Sequence, residues 1–197
     1  MEKPVVIDIQ NLTKMFGGLC AVNNFSGCLR ENQIVGIIGP NGAGKTTFTR
    51  EFLKNLGNVD LVSFNADDRT VELRPKFPKK SLPEINLMAA QQIDAEVEEC
   101  IRSGKSFLVE TVLSSGKYRD DLLEAKARGF KFGFIYISIE PAELSPARVK
   151  LRVMKGGHDV DQKKAIERWH KSHEQSLWFA AQSPDSFMFF DNTSRVL

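Results

Sequence analysis

The chain has 197 residues, 42% of them hydrophobic and 26% charged, with a formal net charge of +2. That length suits one domain with a sizeable core, and so small a net charge argues against a nucleic-acid partner or an anionic membrane surface. No stretch approaches the roughly 18–20 apolar residues needed to cross a bilayer. The opening residues show no signal-peptide profile, and the unclustered Cys20, Cys28 and Cys100 fit reduced thiols in the cytoplasm.

In chain order, Val5–Ile9 and Cys20–Leu29 read as two strands joined through Gly17-Gly18. Ile34–Ile38 is a buried strand, and Thr46–Leu56 a helix. Val59–Phe64 is a second buried strand, and Arg69–Lys80 a basic, proline-containing surface loop. Ser81-Leu82-Pro83-Glu84 opens a helix to about Ser103, with a capping serine and an early proline. Phe107–Val109 is a third strand ending at Glu110, followed by a helix over Lys117–Arg128 that stops at Gly129. Phe132–Ile139 is a fourth strand, and a helix begins at Ser145-Pro146 and runs into Gly156-Gly157. Asp161 to about Gln182 is a charged helix, and Phe187–Phe190 a fifth strand ending at Asp191. Short apolar strands alternating with helices imply an α/β fold, a mostly parallel five-stranded sheet with helices on both faces. The first two strands form an N-terminal antiparallel extension, placing a boundary between residues 1–31 and 32–197.

Between the Ile34–Ile38 strand and its helix stands Gly39-Pro40-Asn41-Gly42-Ala43-Gly44-Lys45-Thr46-Thr47. Glycines here let backbone N–H groups turn inward around a polyphosphate, and the helix N-terminus adds a favourable dipole. Lys45 is placed to reach the β- and γ-phosphates, and the Thr46 hydroxyl to bind Mg²⁺. The expected ligand is a nucleoside triphosphate, ATP or GTP, in a P-loop NTPase fold. In such sheets ligands bind beyond the carboxyl ends of the strands, which directs attention to Asp67, Glu110, Glu140 and Asp191-Asn192.

Asp67 fits either a general base or a helix cap. Glu110, ending an apolar strand, incurs a desolvation cost unless partnered; substrate-hydroxyl binding, contact with Mg²⁺ and a structural hydrogen bond are its alternatives. Thr111, Ser114, Ser115 and Lys117 follow, either holding an anionic part of an acceptor or capping a helix. Arg148 and Arg152 lie one helical turn apart and, with Arg168, could close over a triphosphate as a lid, since a guanidinium binds phosphate oxygens in pairs. His158 sits in a glycine-flanked loop suited to ordering that lid. His170 and His173 lack a third ligand for zinc, Trp169, Trp178 and Phe179 read as core, and Asp191-Asn192 stand either near the nucleotide base or in a plain turn.

Two resemblances divide the chain. Leu12–Asn24, with Gly36–Thr47, resembles the ATP-binding subunits of branched-chain amino-acid ABC transporters. That likeness implies that Phe16, 29 residues before Lys45, stacks on adenine. The ABC signature motif and an Asp-Glu strand end are missing, so transporter function is not expected. From about Gly36 to Leu197 the chain resembles the zeta-toxin group of phosphate-loop kinases. The likeness is carried by Gly39–Leu53, Phe64-Asn65-Ala66-Asp67, Phe107–Thr111, Ala147–Val153, Gly156-Gly157-His158-Asp159-Val160, Arg168-Trp169 and Asp191-Asn192. It implies ATP-dependent phosphorylation of a small-molecule hydroxyl, an amino-sugar nucleotide such as UDP-N-acetylglucosamine. It assigns Asp67 as base, with Lys45, Arg152 and Arg168 as catalytic groups, and implies an antitoxin protein as partner. A nucleotide-binding ATPase or switch without an acceptor is the alternative.

Overall fold

The computed structural model describes residues 5–16, 19–30, 33–54, 61–154 and 160–193. Strands β1 (Val5–Phe16) and β2 (Leu19–Arg30) pair antiparallel in a two-stranded sheet of their own. β3 (Gln33–Ile38), β4 (Val62–Asn65), β5 (Phe107–Thr111), β6 (Lys131–Ser138) and β7 (Ser186–Asp191) form the second sheet. Its order is β4-β5-β3-β6-β7, and every neighbouring pair is parallel. The expected antiparallel extension and parallel five-stranded sheet are both present.

Period-2 alternation explains the two cores. Ile34 and Ile38 of β3 share one face with Phe64, Val109, Phe134 and Tyr136. Val35 and Ile37 share the other with Leu108, Ile135 and Ile137, covered by Phe48 and Phe52. The latter two come from α1 (Lys45–Lys54), the helix behind the glycine loop. α3 (Leu82–Ser103), α4 (Arg119–Ala127) and α6 (Gln162–Ala181) supply Val97, Leu122 and Phe179 to the first face.

Residues 69–76 of the expected Arg69–Lys80 surface loop are instead helical, although Pro75, Pro78 and the charges suggested a loop. Ala66–Leu73 is a helix, α2, followed by a 3₁₀ turn at Arg74–Lys76. Asn65 caps it, its Oδ1 accepting from Asp67 N–H at 2.8 Å and Asp68 N–H at 3.3 Å. Leu73 packs with Ile85 and Ala89 of α3 in a small core of its own. Arg69 forks onto Glu96 of α3 at 2.5 and 2.9 Å. Proline enters only once the helix is over. Thus α2 and α3 form a helical arm rooted at the end of β4. α5 (Leu144–Met154) follows β6, and no helix among the described residues is long and apolar enough to cross a membrane.

Candidate active site

The register brings the carboxyl ends of the strands together around the glycine loop. Ile37 stands opposite Glu110 and Ile38 opposite Thr111, while Asn65 pairs with Glu110. β5 is thus the direct neighbour of the loop strand, and its acid lies beside the start of α1.

The loop is built against β6. A Cβ on Gly39 would lie 2.2 Å from the Ile137 carbonyl oxygen, a contact no side chain tolerates. Lys45 is buried, and its Nζ donates to Pro40 O at 3.0 Å. Burial pulls this amine down from 10.5 to about 8; the charges of Glu110 and Asp67 oppose that shift, and those of Arg152 and Arg168 add to it. Residues from β5, α2, α5 and α6 therefore all bear electrostatically on one ammonium group.

Thr46 donates its hydroxyl to Glu110 Oε1 at 2.5 Å. The other carboxylate oxygen, Oε2, is buried and has no hydrogen-bond partner among the described residues. A carboxylate accepts only, so this buried oxygen offers a place for a cation or for a donor from beyond the described residues. Hydroxyl and carboxylate oxygens form a hard donor set, and together they fit Mg²⁺.

The remaining sequence-predicted residues divide. Asp67 is exposed in the first turn of α2, with its backbone held by Asn65. Arg152 is half-buried on α5 and Arg168 exposed on α6. Arg148, grouped with them as a lid residue, instead reaches the loop backbone. Its Nη1 lies 3.5 Å from Gly42 O, and its Nη2 donates to Asn192 O at 2.7 Å. Burial lowers its pKa, partly offset by Asp191. Thr111 Oγ1 accepts from Leu113 N–H at 3.1 Å and Ser115 Oγ from Lys117 N–H at 3.4 Å, both local turn contacts. Lys117 pairs with Asp94 of α3 at 2.7 Å. His158 and the Phe16 side chain lie outside the described residues.

Of the aromatic residues read as core, Phe179 is buried, and Trp169 and Trp178 pack partly buried against the two cores. His173 is taken up by Tyr136, whose hydroxyl lies 2.9 Å from Nδ1. No three metal-ligating side chains cluster among the described residues.

Sequence reasoning passed over Ser145 and left Asn192 undecided between base contact and turn. Both are buried, and both donate to loop carbonyls: Ser145 Oγ to Asn41 O at 2.8 Å, Asn192 Nδ2 to Ala43 O at 2.8 Å. The sequence signals were the position of Asn192 just past the last strand and its place among the zeta-toxin motifs.

Comparison with known proteins follows the same division. Over 47 residues the chain is 57% identical to the branched-chain amino-acid transport ATP-binding protein LivG of Salmonella typhimurium. Over 53 residues it is 47% identical to the zinc import ATP-binding protein ZnuC of Rickettsia conorii. These matches take in 24% and 27% of this chain, and only 18% and 22% of those relatives' lengths. A Haemophilus influenzae protein of undescribed activity is 30% identical over 130 residues, 66% of this chain and 87% of that one.

Among solved structures, a Chloroflexus aurantiacus protein assigned as a kinase aligns with a TM-score of 0.59 at 14% identity, covering 83% of this chain and 90% of that one. The AvrRxo1-ORF1:-ORF2 complex with ATP aligns at 0.57 and 16% identity, covering 77% and 50%. A structure from the PezAT chromosomal toxin–antitoxin system of Streptococcus pneumoniae aligns at 0.52 and 22% identity, covering 64% and 55%. At such identities these likenesses establish the fold, which is that of phosphate-loop kinases and ATPases. One family model spans residues 34–176, from the loop strand through α5 and most of α6, and on that match the chain belongs to the AAA_33 family of AAA domains.

Proposed function

We propose that this chain is an ATP-dependent kinase that transfers the γ-phosphoryl group to a hydroxyl on a small molecule. The observation that carries this reading is the convergence on Lys45 of Glu110, Asp67, Arg152 and Arg168, drawn from four separate elements. A hydrolase needs the cradle, a group that orients the attacking water and, in many cases, an arginine; a kinase needs in addition a base for the acceptor's hydroxyl. An acid on the helical arm and two guanidinium groups on α5 and α6, all bearing electrostatically on the lysine of the cradle, are the groups that transfer to a second substrate would use.

In this reading the loop amides of residues 42 and 44–46, with the Lys45 side chain, hold the β- and γ-phosphates. Thr46 and Glu110 hold Mg²⁺, which supplies charge neutralisation across the phosphate oxygens when bound. Asp67 accepts the proton as the acceptor oxygen bonds to the γ-phosphorus, while the bond from that phosphorus to the bridging oxygen breaks and ADP leaves. Arg152 and Arg168 offset the negative charge that spreads over the moving group. The zeta-toxin resemblance of residues 36–197 favours an amino-sugar nucleotide such as UDP-N-acetylglucosamine as acceptor, an antitoxin protein as partner and a cytoplasmic setting. Thr111 and Ser115 stand at the β5 end where that acceptor would lie.

The test is incubation of the full chain with Mg²⁺, ATP or GTP, and a panel of nucleotide sugars, read by mass analysis. The expected product is one acceptor carrying a single added phosphoryl. Phosphate released into solution with none transferred to any acceptor would replace this reading with the ATPase one.

A further inference from the structure

A phosphate loop has no ladder of its own; something outside it must decide which way its peptides face. Here three consecutive carbonyls are held from behind. Asn41 O accepts from Ser145 Oγ at 2.8 Å, Gly42 O lies 3.5 Å from Arg148 Nη1, and Ala43 O accepts from Asn192 Nδ2 at 2.8 Å. The three donors are tied to one another: Ser145 and Arg148 share a face of α5, and Arg148 Nη2 donates to Asn192 O at 2.7 Å. Asn192 N–H in turn donates to Ser138 O at the end of β6, 2.9 Å away.

Two loop glycines are fitted to this bracket. A Cβ on Gly44, where φ is +93°, would stand 2.9 Å from Asn192 Nδ2; one on Gly42, at φ +76°, would stand 3.0 Å from Arg148 Cβ. The absence of side chains at 42 and 44 therefore admits the bracket on one side of the loop as well as a ligand on the other.

We infer that Asn192, with Ser145 and Arg148, positions the phosphate loop: by holding the carbonyls of 41, 42 and 43 outward, it aims the loop's amides at the polyphosphate before any ligand arrives. A trans peptide points its C=O and N–H in opposite directions, so fixing those carbonyls on the α5–β7 side turns the N–H groups of 42 and 44 away from it, while that of Ala43 closes a turn onto Pro40 O at 3.2 Å. Ordering the loop in advance removes that entropic cost from binding. The bracket also joins the loop to the helix that carries Arg152, one turn beyond Arg148. These contacts are more than helix-start packing, because neither the Ser145 hydroxyl nor the Asn192 carboxamide nitrogen is spent on its own element; each crosses to the loop.

This inference rests on the nucleotide-binding reading, so its test separates the two. Binding of inorganic tripolyphosphate and of ATP is measured on the full chain, together with the melting temperature. Asn192→Ala and the near-isosteric Asn192→Asp, which lacks the donor, are expected to weaken both ligands at least tenfold. Ala125→Gly, a buried change on α4, is expected to lower the melting temperature without weakening either ligand. The proposal is overturned if the Asn192 variants bind tripolyphosphate within twofold of the unmodified chain. It is equally overturned if their loss of affinity only matches that of Ala125→Gly at the same loss of melting temperature. Failure of the unmodified chain to bind either ligand would overturn the nucleotide reading itself, and this proposal with it.

Discussion

Thr46 and Glu110, 64 positions apart in sequence, meet at 2.5 Å because parallel pairing sets β5 beside the loop strand. The hydroxyl occupies one carboxylate oxygen and leaves the other buried without a partner among the described residues. Glu110→Gln keeps an acceptor for Thr46 but removes the charge that a cation would meet. In the unmodified chain, Mg²⁺ is expected to add to the rise in melting temperature that ATP alone produces. In Glu110→Gln that added rise should shrink, while the rise from metal-free ATP persists. Turnover should fall about a hundredfold, as for loss of a charged group that stabilises the transition state. An unchanged Mg²⁺ increment would assign Glu110 to structure alone.

Lys45 gives two pH effects of opposite sign. Its folded pKa of about 8 lies below the ordinary 10.5, so between those values the unfolded chain binds more protons than the folded one. Ligand-free stability therefore rises with pH across that window; below about 8 the cost of the buried ammonium is fully present. A bound polyphosphate favours the charged amine and raises its pKa, so binding above pH 8 takes up a proton. Affinity should be flat below about pH 7 and weaken by up to tenfold per pH unit above 8. Calorimetry in buffers of different ionisation enthalpy reads the proton uptake directly. Lys45→Met should abolish the uptake and raise the ligand-free melting temperature at pH 7.

What the sequence disclosed was local chemistry. The glycine loop with its strand and helix is a contiguous motif, and Glu110 stood out as an acid closing an apolar run. α2 was hidden because Pro75, Pro78 and a cluster of lysines look like a loop, while the features that make it a helix are the Asn65 cap and the burial of Leu73 on α3. The Ser145 and Asn192 contacts were hidden for another reason. They span 104 and 149 positions, and a serine opening a helix or an asparagine ending a strand already has a local explanation. Arg148 and Arg152 share spacing and face; only the packing of α5 on the loop turns one to the backbone.

The N-terminal hairpin supplies a third prediction. β1 and β2 pair with each other in a sheet separate from the five parallel strands, and an isolated hairpin adds little stability of its own. Removing residues 1–31 should leave ATP affinity within about twofold and the melting temperature within a few degrees, roughly a 1 kcal/mol change. Loss of ATP binding in the truncated chain would show that the hairpin is part of the site.

Gly36 offers a gain of stability. It lies in the middle of β3, on the face of Ile34 and Ile38, and lines an apolar cavity of about 40 Å³ with Val97, Phe107 and Leu122. A Cβ there would meet Ile38 Cδ1 and Phe134 Cβ at 3.4 Å, at the edge of ordinary contact. Glycine inside a strand costs backbone entropy and packs nothing. Gly36→Ala should stabilise the fold by about 0.5–1 kcal/mol, read as a higher denaturant midpoint at an unchanged slope.

Asp67 is the residue on which the kinase reading can be separated from simple nucleotide binding. Its backbone N–H, not its carboxylate, makes the capping contact with Asn65, so Asp67→Asn leaves the start of α2 intact. The side chain is exposed at the root of the helical arm, and its charge acts on Lys45 with the sign opposite to that of Arg152 and Arg168. An amide cannot accept the acceptor's proton. If Asp67 is the base, phosphoryl transfer in Asp67→Asn should fall by about 10²–10⁴, while the nucleotide dissociation constant stays within about twofold. Loss confined to transfer identifies a group that acts on the second substrate; equal loss of transfer and ATP hydrolysis identifies one that acts on the phosphates. Turnover within threefold of the unmodified chain would remove Asp67 from the reaction and send the proton to another acceptor.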